Sequence, residues 1–283
     1  KFEVWMNVHR LLQFKNQYVS KEKKGIKKWV GNNKLFLLAF FIPALFYIIA
    51  CICLKVTPFG TQSLMVVDSL HQYLPFFSDY YEKLTKTHEF LYSWNSAMGY
   101  NFVTLWAYYL CSPFNFLILL FPQSMMNTAF TLIIGLKICC TSLTFTIMCA
   151  KKIGNKKDIR IVIFGLCYAL SNYVIGYYWN SMWLDVLIWM PLVICALDSL
   201  IEKKQVKWYV ITLFLAMCGN FYIGFMMCIF LVLWFLCYPH KNIKTFFFSG
   251  LRFAGGSLLA AGMGSALFIP AYKGLMMTGQ ADT

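Results

Sequence analysis

Ser63-Leu64-Met65-Val66-Val67-Asp68-Ser69-Leu70-His71-Gln72-Tyr73-Leu74-Pro75-Phe76-Phe77, entered through Thr57-Pro58-Phe59-Gly60, follows directly on an uncharged apolar run, residues 35–54. As a helix that run is about 30 Å long, enough to span a hydrocarbon core. The quoted stretch is therefore where the chain leaves a membrane, and Asp68 is the first carboxylate after the exit. Beyond it Leu70, Tyr73, Leu74, Phe77, Tyr81 and Leu84 recur at spacings of three and four, while Gln72, Asp79, Glu82 and Lys83 fall elsewhere. The pattern predicts an amphipathic helix in the membrane interface. Two readings of Asp68 follow. Either Asp68 or Ser69 is simply the helix N-cap, or Asp68 is a catalytic base held at the bilayer surface.

Composition sets the class. Hydrophobic residues make up 60% of the chain and charged residues 13%, about half the charged share of a soluble domain. This is the composition of an all-α polytopic membrane protein. The net charge of +14 sits in short segments beside apolar runs, where it orients the chain and meets anionic lipid; it is not a nucleic-acid footprint. The 19% aromatic content suits interfacial belts or an aromatic-lined cavity. Most of the eleven cysteines lie inside apolar runs, and only Cys111 falls in the segment placed outside, so no extracytoplasmic disulfide framework is expected. The four histidines are scattered without zinc spacing. Neither Gly-x-Gly-x-x-Gly nor a P-loop occurs, so no cytoplasmic nucleotide site is expected.

The positive-inside rule places the basic segment 1–34 in the cytoplasm. The first apolar run has no small-residue cleavage site and reads as an anchor, with Pro43 as an expected kink. Residues 103–121 form a second uncharged run. If it crossed the membrane once, Lys151, Lys152, Lys156, Lys157 and Arg160 would lie outside and later basic loops would invert. A re-entrant or interfacial segment broken at Ser112-Pro113 avoids this, with a helical hairpin as the alternative. Residues 55–126 then form one large external loop. Runs at 127–150, 161–178, 184–200, 208–218, 221–238 and 245–269 alternate in direction, giving a bundle of about seven transmembrane helices over 35–269. Residues 270–283 are expected to start a further external loop of a longer protein, since the chain lacks an initial Met and stops just after an apolar run.

In this topology Asp68, the Asn180–Asp185 turn, Asn220–Tyr222 and Lys273 share the external side. Asp68 and Asp185 form a candidate pair, as base and orienter or as base and ligand of a divalent cation; whether a metal is used is left open. The alternative for Asp185 is a helix cap. Lys137 lies about 15 Å into its span, where an ionisable group requires a buried partner or a cavity. It is either a functional group or half of an ion pair that holds the bundle together. Asp79, Glu82 and Glu89 read as the solvated face of the surface helix, and Asp198 as a snorkelling residue near the cytoplasmic end of its span.

Several short motifs, in order, resemble the bacterial YfhO family of multi-spanning membrane proteins. They are Pro58-Phe59-Gly60, the run from Asp68 to Phe77, Ser93-Trp94, Gly99-Tyr100-Asn101-Phe102, and Tyr109-Leu110-Cys111-Ser112-Pro113-Phe114-Asn115. Leu136-Lys137, Trp183-Leu184-Asp185 with Pro191, and Asn220-Phe221-Tyr222-Ile223-Gly224 continue the order. The resemblance implies a C-type glycosyltransferase-like fold whose first external loop carries interfacial helices and an essential acidic residue at the position of Asp68. It further implies transfer of a sugar from a polyprenyl-phosphate carrier to a teichoic-acid-like envelope polymer, on the outer face of a bacterial plasma membrane. The family often has paired acidic residues; here Ser69 and His71 follow Asp68 instead. Under this reading Asp68 deprotonates the acceptor hydroxyl. Lys137, Lys273 and His71 are candidates for the donor phosphate or its cavity, and Tyr73, Asn180, Trp183, Asn220 and Tyr222 for the substrate cavity. A lipid-linked-sugar flippase or other transporter is the competing reading. It predicts midplane polar residues and internal repeats, and no repeat is found.

Overall fold

A computed structural model describes residue 31 and residues 33–95, 98–155 and 157–276. The basic segment expected over 1–34 lies mostly outside the described residues, as does 277–283. In chain order the helices are α1 (Asn33–Cys53), α2 (Leu74–Glu82), α3 (Phe102–Leu110), α4 (Met126–Ile153), α5 (Arg160–Ala169) and α6 (Asn172–Tyr177). They continue with α7 (Ser181–Lys203), α8 (Val206–Gly219), α9 (Phe221–Cys237) and α10 (Ile243–Met276). A two-residue pairing of β1 (Tyr92–Ser93) with β2 (Tyr100–Asn101) is the sheet among the described residues. Helices dominate because backbone polar groups in lipid must be satisfied within their own segment.

Five helices are long and apolar enough to cross a membrane: α1, α4, α5 with α6, α7 and α10. The other two of the seven expected spans, α8 and α9, are shorter apolar helices. At 14 residues, α8 extends about 21 Å. The span expected over 161–178 is broken at Leu170-Ser171 into α5 and α6. The last expected boundary, after residue 269, moves outward, because α10 continues through Pro270 to Met276. That final stretch is held by packing. Leu267 and Ala271 bury against Ala107, Gly274 leaves no room for a side chain beside Thr104, and the Thr104 hydroxyl reaches the Pro270 carbonyl at 3.4 Å.

Contacts between helices fix their relative directions. Lys137 of α4 meets Ser181 and Asp185 of α7, and Lys151 meets Cys195 and Ser199, so these two helices run parallel. The α5 helix returns, with Gly165 against Ser142 and Thr146 of α4. The α8 helix ends with Gly219 against Asp185, and α9 brings Trp234 to Asp198 and Tyr238 to Glu202. Finally α10 starts beside Phe235 and passes Tyr209 on its way back. The alternation puts the starts of α4, α7 and α9 at one end of the bundle. Lys151, Lys152, Lys203, Lys204 and Lys241 gather at the opposite end.

Between α1 and α4 the chain stays at the first end. Thr57 and Thr128 share a hydroxyl hydrogen bond of 2.9 Å. At Gly60 any Cβ would sit 2.3 Å from the Lys55 carbonyl oxygen, so the exit loop closes there only without a side chain. The uncharged second run is bent by 98° between Phe102–Leu110 and Pro113–Leu120. The bend falls at the expected Ser112-Pro113 break. Proline disfavours helical backbone in the residue before it, and Ser112 is extended and caps Phe114 with its hydroxyl.

The surface helix is more deeply packed than its amphipathic pattern predicts. Tyr73, Phe77 and Tyr80 are buried in one cluster with Phe102, Ile118, Phe130 and Met182, while Leu70 of the expected stripe is exposed. The cause is a π-helical turn over Ser69–Tyr73, whose extra residue rotates Leu70 off the buried face. Asp79 departs from its expected solvated position. It is 4% exposed, accepts from Asn95 at 2.8 Å and from the Tyr100 hydroxyl at 2.9 Å, and faces Lys83 at 3.9 Å. Lys83 donates to the carbonyls of Glu89 and Tyr92 and lies over the Phe102 ring. Burial and then Asp79 hold the Tyr100 phenol above its ordinary range. At the lysine-rich end Asp198 does not snorkel: it is buried, pairs with Lys152 at 2.6 Å and accepts from the Trp234 indole at 3.1 Å. Both carboxylates face inward because a cation and a donor are already there to replace water.

Candidate functional site

The site is built on the turn that starts the surface helix. Val67 has φ +49°, a left-handed conformation in which a β-branched residue is strained. The Ser69 hydroxyl folds back, donating to the Val66 carbonyl and accepting from the Val66 amide, both at 2.6 Å. Ser69 thus does the local bonding. Asp68, at the N-cap position, makes no side-chain capping bond. Its carboxylate is half-exposed and lies within electrostatic reach of the Tyr108 and Tyr109 hydroxyls. Tyr222 reaches Tyr108 as well.

A ring network leads inward from this rim. Tyr109 packs on Tyr108 at 4.7 Å and on Tyr73 at 5.6 Å, and Tyr108 on Phe221 at 5.3 Å. Tyr73 is fully buried, and its hydroxyl accepts the Met182 amide at 3.2 Å. Burial pushes the Tyr73 phenol well above its ordinary range, so it stays protonated and has a hydrogen to donate.

Behind Tyr73 stands the most buried charge pair among the described residues. Lys137 and Asp185 are each 0% exposed and meet at 2.6 Å. Lys137 also donates to the Ser181 carbonyl at 2.9 Å and approaches the Ser181 hydroxyl at 3.1 Å, so its three protons are all engaged. The other Asp185 oxygen accepts from Ser112 at 2.7 Å. One knot therefore ties α4, α7 and the bend that follows α3. Gly219 closes over it, where a Cβ would meet the Asp185 Cβ at 2.7 Å.

The remaining sequence-derived candidates divide. Asn180 and Asn220 are buried at this end, and Asn220 caps α9 by accepting from Ile223 at 2.9 Å. The Asn220 side-chain amide and the Trp183 indole N–H are buried without a partner among the described residues. Tyr222 is half-exposed on the rim. His71 is exposed one helical turn from Asp68, and Lys273 is exposed near the end of α10. Tyr108 and Ser112 were not among the candidates. The signals for them were a tyrosine pair and a lone hydroxyl, each inside an otherwise apolar run at the break.

A divalent cation fits this arrangement poorly. Both Asp185 oxygens are engaged, and among the described residues no group of three or more His, Cys, Asp or Glu could hold a metal ion.

Over 110 residues the chain is 24% identical to the "Uncharacterized protein YfhO" of Bacillus subtilis (strain 168), a match covering 35% of this chain and 12% of that protein. No solved structure matches. The profile of a family described as bacterial membrane protein YfhO matches residues 39–283, and the chain belongs to that family.

Proposed function

We propose that this chain carries the donor end of a membrane glycosyltransferase that moves a sugar from a polyprenyl-phosphate carrier to a teichoic-acid-like envelope polymer. The transfer takes place on the outer face of the bacterial plasma membrane, with the lysine-rich end in the cytoplasm. The observation that carries the reading is Asp68. It is a carboxylate at a helix start that caps nothing, held on a strained turn beside a tyrosine rim. A base needs such a free, positioned carboxylate, and the carrier phosphate is already a good leaving group. As the acceptor oxygen attacks the anomeric carbon, its proton passes to Asp68 and the bond to the phosphate oxygen breaks.

The surroundings suit the two substrates. An apolar cavity of about 340 Å³ lies between α1 and α4, lined by Tyr47, Cys51, Phe59, Phe121 and Leu132, where a prenyl chain would be kept from water. The unpartnered Asn220 amide and Trp183 indole offer donors for sugar hydroxyls. Lys137 serves here by positioning α4 against α7. With its protons engaged it is not free for the carrier phosphate, which leaves Lys273 and His71 as the candidates.

The test uses cells lacking the full-length protein, with and without complementation, and reads sugar on the wall polymer together with the lipid-linked sugar exposed on the outer leaflet. Transfer predicts loss of the polymer sugar while outward-facing lipid-linked sugar accumulates. A flippase predicts loss of both.

A further inference from the structure

At the lysine-rich end, the last turn of α7, the α9–α10 connection and the first turns of α10 line a cavity of about 550 Å³. Lys204, Lys241, Lys244 and Arg252 all line it, and none forms a salt bridge among the described residues. Its single lining carboxylate, Glu202, accepts the Tyr238 hydroxyl. The lining thus carries four positive charges against one negative. Such an excess at a concave surface attracts an anion.

Two further features distinguish this cavity from a merely solvated basic loop. Ser249 lines it at 0% exposure, and its hydroxyl has no partner among the described residues. A buried hydroxyl without a partner is costly unless something in the cavity supplies one. His240 also lines it, with one ring nitrogen 3.1 Å from the Phe235 carbonyl and the other without a partner among the described residues. A carbonyl only accepts, so Nε2 carries the proton and Nδ1 of the neutral ring is left as an acceptor. The cavity therefore offers cations, a hydroxyl and one acceptor. That set matches a phosphodiester bearing a hydroxylated substituent.

Position selects the source. The cavity lies at the start of α10, and Phe247 and Leu251 beside it are 67% and 63% exposed. In a spanning helix such exposed apolar residues face acyl chains. We propose that this cavity is a binding site for the headgroup phosphate of an anionic phospholipid of the inner leaflet, with phosphatidylglycerol as the fitting chemistry. The phosphate meets Lys241, Lys244 and Arg252, the Ser249 hydroxyl donates to it, and a glycerol hydroxyl donates to His240. The site is separate from the Asp68 end and does not depend on the transfer chemistry.

The experiment takes the full-length protein, purified and delipidated in detergent. Native mass spectrometry measures retention of added phosphatidylglycerol or phosphatidylcholine, and thermal unfolding is followed with and without inorganic phosphate. The wild type is expected to prefer phosphatidylglycerol by about tenfold or more. Lys241→Gln/Lys244→Gln/Arg252→Gln is expected to lose that preference, while Lys55→Gln/Lys86→Gln at the opposite end keeps it. Ser249→Ala, which changes no charge, is expected to weaken retention several-fold. Stabilisation by inorganic phosphate that the triple variant loses, without a lipid preference, keeps the phosphate site and moves its source to a soluble ligand. Equal retention of the two lipids without a phosphate effect overturns the proposal, as does an undiminished preference in the triple variant.

Discussion

Asp68 is available because its neighbours do the structural work around it. Ser69 closes the turn onto Val66, and Val67 holds a left-handed backbone that a valine rarely adopts. Strain of this kind costs about 1–3 kcal/mol and persists where surrounding structure imposes it. Glycine takes the same conformation without steric cost but frees the chain. Val67→Gly is therefore expected to leave the thermal midpoint unchanged or raised while transfer falls several-fold; a lowered midpoint with full activity would show that the strain has no role in placing Asp68. Isolated charges such as Asp68 and Lys137 were legible in the sequence because an apolar background makes each one conspicuous. The roles of Ser69 and Ser112 were not legible, since a serine bonds whatever the fold brings to it. Nor was the burial of Asp79 and Asp198: Lys83 is four positions from Asp79, but the other partners, Asn95, Tyr100, Lys152 and Trp234, lie 16 to 46 positions away.

Among the elements, α4 and α7 form the frame, and the Lys137–Asp185 pair sets their register. Removing one member of a buried pair leaves an uncompensated charge, at a cost of about 3–5 kcal/mol, whereas replacing both with apolar side chains is often neutral. Lys137→Met is thus expected to accumulate poorly or melt well below the wild type, and Lys137→Met/Asp185→Leu to recover most of that loss, both read by detergent melting curves. Equal stability of the single variant and the wild type would instead free Lys137 for a part in the reaction. Element positions were legible wherever apolar runs met charge or a Ser-Pro break, as at residues 112–113. The π-helical turn over Ser69–Tyr73 and the extension of α10 past Pro270 were not. Both depend on packing against distant segments, namely the ring cluster around Phe130 and the Thr104–Ala107 face of α3.

Across the whole molecule the two ends differ in chemistry. One carries Asp68, the tyrosine rim and buried donors, and the other carries lysines around a cavity of about 550 Å³. The proposed sugar transfer draws on the first end and the proposed lipid site on the second. The central claim is that Asp68 is the base. Asparagine replaces aspartate with little change in volume, and no capping bond is lost because Asp68 makes none. Yet asparagine cannot take a proton, and a general base contributes about 10²–10⁴-fold in rate. The decisive measurement is the rate of sugar transfer to wall polymer by the full-length protein carrying Asp68→Asn, at matched membrane levels. The account predicts a fall of about 10²-fold or more, with Asp68→Glu intermediate; near-normal transfer by Asp68→Asn would contradict it.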